Sequence, residues 1–216
     1  MAGSAKKIST TGAGRTDAGV NASVFCAHFD CTKPGLDSRE NTVFRLNRFL
    51  PADIAVQAIK RATPDAHARF SALSRTYKYF ISRKKDPFIE QTSWYIYGDL
   101  NISEMNRAAE ILLRHSDFTS FSRLHSDNKT NLCRIISASW DNNGDTLIFT
   151  IRADRFLRNM VRAVVGTMVN IAKGKITVEQ FEEIILASDR SKAGMSAPAK
   201  GLFLADIEYP GSLYPE

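Results

Sequence analysis

The 216-residue sequence predicts a chain that mixes strands and helices, and three observations predict it. Short runs with the period of a strand alternate with longer helical runs, an Asn142-Asn143-Gly144 turn separates two β-rich segments, and Gly174 closes a long apolar helical run. Hydrophobic residues at 44% and charged residues at 24% are ordinary folded-domain usage and supply enough apolar surface for a core. At roughly 100–200 residues per domain, the length fits one large unit or two small ones.

In chain order, residues 23–30 alternate with Phe25, Ala27 and Phe29 on one side, the pattern of a half-buried strand. Asp37 and Glu40 have capping-box spacing ahead of Val43, Phe44, Leu46 and Leu50, and Pro51 ends that helix. Residues 54–60 read as the next strand. Residues 63–74, with a turn-forming start and no sustained period, mark the boundary between two expected units, 1–64 and 65–216. Residues 75–83 then put Tyr77, Tyr79 and Ile81 on one face of a strand, residues 94–97 continue the β pattern, and Ser103 caps a helix through His115. The hairpin of residues 132–141 and 146–154 leads into the longest helix, expected over 155–173. Thr177 and Gln180 have capping-box spacing for another helix, and residues 201–209 close the chain as a strand.

No apolar run approaches the roughly 18 residues that cross a bilayer, and residues 1–10 hold no apolar stretch typical of a signal peptide. Three cysteines do not make a disulfide framework, so the reading is a cytoplasmic protein without membrane association. The net charge of +6 conceals two basic windows, residues 60–85 at +7 and residues 152–175 at +5, on an otherwise acidic chain. A basic surface on an acidic body points to a polyanion, of which nucleic acid is the commonest; a solvated charged face has the same composition.

On the expected helix 155–173, Arg155, Arg158, Arg162, Gly166 and Lys173 fall on one stripe, opposite Phe156, Met160, Val164, Met168 and Ile171. The cations suit an anion, and Gly166 on their stripe would admit another group closely; ordinary amphipathicity produces the same pattern. Residues 11–22 set three glycines around Arg15-Thr16-Asp17, a shaped loop without the Lys-Ser/Thr or dinucleotide spacing of a nucleotide cradle. Asp17 reads either as part of a common Asp-Ala-Gly turn or as an ionised carboxylate beside Arg15 held for catalysis. Cys26, His28, Cys31 and Cys133 lack paired metal-ligand spacing and are expected to be buried structural residues. Ser122, His125 and Asp127 are close in sequence, but nothing arranges them as a hydrolase triad.

The segment Gly14-Arg15-Thr16-Asp17-Ala18-Gly19-Val20 resembles the signature loop of the tRNA pseudouridine synthase A family. The resemblance continues in order through Arg69-Phe70-Ser71-Ala72 with Arg75-Thr76-Tyr77-Lys78-Tyr79, then Asp117-Phe118-Thr119-Ser120-Phe121, then Phe156 to Gly166 around Met160-Val161-Arg162. It ends at Gly201-Leu202-Phe203-Leu204 and Tyr209-Pro210. Two departures accompany it: Asn21 stands where the family usually has His, and the chain starts after the family's Tyr-Asp-Gly and Gly-Trp-Gln elements, as though shortened at its amino-terminal strand and helix.

The resemblance implies an α+β fold of two related halves, each a sheet with helices on one face, forming a homodimer that receives tRNA. It implies isomerisation of uridine to pseudouridine at positions 38–40 of the anticodon stem-loop, with no metal or organic cofactor. Asp17 would be the catalytic carboxylate, with Arg15 and Arg162 beside it. Tyr77 would stack on the flipped uracil, Leu202 would line the pocket, and Arg155 and Arg158 would contact the substrate. The competing expectation, raised by the shortened start, is a tRNA-binding protein or chaperone without catalysis.

Overall fold

The computed structural model describes residues 8–32, 35–37, 41–123 and 130–215. These form strands β1 (Thr10–Gly12), β2 (Asn21–Ala22), β3 (Ala27–Phe29), β4 (Ser74–Ser82), β5 (Trp94–Tyr95), β6 (Ile135–Asn143), β7 (Thr146–Ala153) and β8 (Leu202–Glu208). The helices are α1 (Asn41–Phe49), α2 (Ile102–Leu112), α3 (Met160–Ala172) and α4 (Val178–Leu186). The fold is α+β. It divides into a smaller unit of Met1–Gly14, Cys26–Ala72 and Tyr209–Glu216 and a larger unit of Arg15–Phe25 and Leu73–Glu208.

In the larger unit a sheet runs β2-β8-β4-β7-β6, with β5 parallel to the end of β4. Alternation decides its faces. Leu147, Phe149, Ile151 and Ala153 of β7 are buried, with half-buried residues between them, and Tyr79 and Ile81 of β4 join them in the core. The helices α2, α3 and α4 pack together, with α2 against β6. Trp140 stacks on Phe149 at 4.9 Å and donates its indole N–H to Met168 Sδ at 3.3 Å, joining sheet to α3. On edge strand β6, Asn106 of α2 accepts from Trp140 N at 2.8 Å and donates to Trp140 O at 3.0 Å, which covers unpaired backbone at the edge.

Several elements follow the sequence closely. Residues 142–146 close a hairpin in which Asn143 faces Thr146 and Gly144 takes φ 61°. Thr177 and Gln180 form a reciprocal capping box on α4. Other expectations are corrected. The cap of α2 is Asn101, whose Oδ1 accepts from Glu104 N at 3.2 Å, so Ser103 lies inside the helix. Residues 54–60 form no strand, because Asn47 of α1 satisfies both backbone groups of Val56 with its side-chain amide, at 2.6 and 2.9 Å.

Residues 23–30 do not form one strand either: Ser23 donates to Leu204 O at 2.9 Å, whereas Ala27–Phe29 pairs antiparallel with β1. Phe25, which lies outside both strands, is 46% exposed, and Phe29 on the two-stranded sheet is 36% exposed. On α1, Pro51 follows the last turn, while the expected capping partner Glu40 lies outside the described residues.

The basic stripe expected on the longest helix is not present. Asn159 takes a left-handed conformation, φ 67°, so α3 begins at Met160 and Arg155 and Arg158 belong to the loop before it. The helix is buried almost all round, and Lys173 lies about 16 Å along the axis from Arg162 at 1.5 Å per residue. Gly166 does admit a close neighbour, but it is the chain itself: a Cβ there would lie 1.8 Å from the carbonyl oxygen of Met195. Gly166→Ala should therefore displace that segment and lower stability by about 1–3 kcal/mol, the usual cost of overpacking, in urea unfolding followed by circular dichroism.

Candidate active site

The loop before β2 is a turn that needs glycine. Val20 N donates to Asp17 O at 3.1 Å, and Gly19 at the third position has φ 78°, the conformation of a type II turn. After the turn, Asn21 and Ala22 pair in parallel with Phe203 and Leu204, and the Asn21 side chain donates to Lys200 O at 3.0 Å. The turn thus delivers Asp17 from a strand seated in the main sheet, which is why Arg15–Phe25 groups with the larger unit.

Two cations meet this carboxylate from one corner of the chain. Asp154 ends β7 by accepting from Arg134 N at 2.9 Å and Arg155 N at 2.6 Å, and the left-handed Asn159 then redirects the backbone into α3. Arg162 Nη1 reaches Asp17 Oδ2 at 3.2 Å, and Arg158 Nε reaches Oδ1 at 3.4 Å. The pairs are unequal. Arg158 is 58% exposed and its pair is screened by solvent, whereas Arg162 and Asp17 are 21% and 22% exposed. Arg162 also donates from Nε to Ala197 O at 2.7 Å, which fixes the plane of its guanidinium.

Tyr77 stands beside this pair on β4. A bulge interrupts the β4–β8 register there, with Thr76 opposite Asp206 but Tyr77 opposite Leu204, a device that turns a side chain relative to its neighbours. Its ring packs edge-on against Phe156 at 5.0 Å. Burial raises the Tyr77 phenol above its usual range; the Arg75 charge offsets this and the Asp17 charge adds to it. Tyr79, two residues on and fully buried, donates its hydroxyl to Pro198 O at 2.8 Å, and burial raises its phenol further against the opposing charge of Arg162. Leu202, buried at the start of β8, lies opposite Tyr79 in the ladder.

The sequence has relatives. A family model described as tRNA pseudouridine synthase matches residues 108–210. A protein named tRNA pseudouridine synthase A from Parabacteroides distasonis is 51% identical over 211 residues, covering 96% of this chain and 82% of that protein. One of the same name from Bacteroides thetaiotaomicron is 50% identical, covering 98% and 79%, and one from Bacillus subtilis is 35% identical, covering 94% and 82%. The chain belongs to the tRNA pseudouridine synthase A family.

Of the residues that the family resemblance singled out, the structure brings Asp17, Arg158 and Arg162 into contact, with Tyr77 beside them. Arg15 is exposed, and among the described residues Arg158 and Arg162 are the cations paired with Asp17. Arg155 is half-buried, its backbone N–H on Asp154. Sequence reasoning missed Asn159, Tyr79 and residues 193–198. Only Tyr79 carried a signal, its place on the same strand face as Tyr77.

The cysteines divide. Cys133 is buried, its thiol pushed up to about 12 by burial, while Cys26 is half-buried and Cys31 exposed, against the expectation that all would be buried. His28 Nδ1 accepts from Ala68 N at 3.0 Å, and among the described residues no three His, Cys, Asp or Glu side chains are grouped to hold a metal. Ser122 is buried, while His125 and Asp127 lie outside the described residues.

The phenols supply a pH prediction. Since burial raises their folded-state pKa above 10.0, their stabilising contribution is fully present below pH 10 and is lost as pH rises through the folded values. Phenolate absorbance should show Tyr77→Phe and Tyr79→Phe each removing one late-ionising group, and each variant should lose less stability than the parent as pH rises above about 10.

Proposed function

We propose that the chain isomerises uridine to pseudouridine in tRNA, at positions 38–40 of the anticodon stem-loop, acting in the cytoplasm as a homodimer. The observation that carries the reading is a single carboxylate, Asp17 of the loop that resembles the family's signature, whose two oxygens are each met by a separate guanidinium. Family membership supports the reaction, and the scarcity of cysteines agrees with a reducing compartment. No helix among the described residues is long and apolar enough to cross a membrane.

The reaction balances without a redox partner. The C1′–N1 bond breaks, the uracil rotates, the C1′–C5 bond forms, C5 loses its proton and N1 gains one. Asp17 acts at the ribose, and Arg162 holds it from the protein side. Tyr77 offers an aromatic face for the detached base and, with its phenol raised, remains neutral near pH 7. Leu202 lines the pocket, while Arg15, Arg155 and Arg158 meet the phosphates, where a flexible charge suffices.

Single-turnover assays on unmodified tRNA, with pseudouridine mapped chemically, test the reading. Asp17→Ala should lower the rate at least about a thousandfold while tRNA binding persists; comparable activity from the variant would remove Asp17 from the reaction. Arg158→Ala should weaken binding and reduce the salt slope by about one, whereas Arg162→Ala should depress the rate even at saturating tRNA. Salt-sensitive binding with no product from the parent chain would instead mark a binding protein.

A further inference from the structure

Residues 193–198 run across α3 and are held at nearly every step. Gly194 N donates to Thr167 Oγ1 at 3.0 Å, and Gly194 approaches α3 so closely that a Cβ would lie 3.1 Å from Thr167 Cα. The Met195 carbonyl sits over Gly166. Ser196 Oγ accepts from Asn159 Nδ2 at 2.6 Å and from Arg190 Nη2 at 3.2 Å. Ala197, almost fully buried, makes two bonds with one residue: its N–H donates to Arg162 O at 2.9 Å and its carbonyl accepts from Arg162 Nε. The Pro198 carbonyl, next in line, accepts from the hydroxyl of Tyr79.

A guanidinium pairing with a carboxylate through one Nη retains freedom to rotate unless its other donors are fixed. Here the fixing group is a backbone carbonyl, and its own position depends on the peptide units on either side. Tyr79 holds the following unit, and Asn159 and Arg190 hold the preceding side chain. Tyr79 is fully buried with its phenol raised, so this donor keeps its proton across the physiological range.

We infer that residues 193–198 are a strap that sets the orientation of Arg162 toward Asp17, and that Tyr79 and Ser196 are positioning residues which act on the reaction through it. The inference rests on the reading of Asp17 and Arg162 as the reacting pair. It predicts that Tyr79, whose hydroxyl touches the strap, governs rate rather than affinity. Without that hydroxyl the Pro198 carbonyl loses its donor, Ala197 shifts, and Arg162 loses alignment while keeping its charge.

The test is a double-mutant cycle of Tyr79→Phe with Arg162→Lys, since lysine keeps the charge but has no Nε–H for Ala197 O. Tyr79→Phe should lower the single-turnover rate at saturating tRNA roughly ten- to a hundredfold, as expected of a small misalignment, and leave the Kd for tRNA and its salt slope unchanged. Added to Arg162→Lys it should cost little more, and the Arg162 Nε–H resonance should shift in free Tyr79→Phe protein. Ser196→Ala, at a half-buried site, should shift the same resonance and lower the rate less, which keeps the test available if the tyrosine variant folds poorly. A parental rate and an unmoved resonance in both variants, or losses that multiply in the double variant, would overturn the inference. Asp17→Ala assayed in parallel separates the two claims: full activity there defeats the catalytic reading, whereas an inactive Asp17→Ala beside an unimpaired Tyr79→Phe defeats only the strap.

Discussion

The guanidinium of Arg162 joins the Asp17 carboxylate at 3.2 Å to the carbonyl of Ala197 at 2.7 Å, and the site depends on this one bridge. Its three anchors come from distant parts of the chain: a turn before β2, the first turn of α3 and the segment leading to β8. An ion pair on an open surface contributes little because water screens it and both side chains lose freedom. Arg162 escapes much of that penalty. It emerges from a helix buried almost all round, and its Nε–H is already committed to a backbone acceptor.

The surrounding fold supplies the rigidity that this bridge requires. The parallel pairing of β2 with β8 makes the Asp17 turn an extension of the main sheet, so the carboxylate has the positional precision of a strand end. The bulge at Tyr77 and the left-handed Asn159 are local irregularities in otherwise regular elements, and both lie beside the pair. Such departures cost stability and persist where surrounding contacts over-determine them. Here the contacts are the edge-on packing of Phe156 against Tyr77 and the bond from Asn159 to Ser196.

Charge has a narrower role than its distribution along the chain suggests. Arg152 is taken up by Glu208, and Arg83 donates to the Gly144 carbonyl, so part of each basic window serves the sheet itself. Arg15 and Lys78 are exposed, while Arg158, exposed as well, pairs with Asp17. Placement matters more than the sum: one exposed arginine, Arg158, and one half-buried arginine, Arg162, meet the same carboxylate.

Strands with strict alternation, such as β7 and β4, were legible because a two-residue period has one inward face whichever partner covers it. The capping box of α4 and the glycine after α3 were legible for the same reason, being local chemistry with local satisfaction. The sequence by itself thus determined the α+β composition, most strand and helix centres, and the family motif that includes Asp17, Tyr77 and Arg162. The tertiary structure decided what depended on distant partners. An amide from Asn47 replaced a ladder at Val56, a left-handed Asn159 removed the supposed basic stripe, and the carbonyl of Met195 filled the space above Gly166. Periodicity reports which way a side chain points along its own element. It carries no information about which distant backbone group will satisfy that side chain, and the orientation of Arg162 depends on such a group.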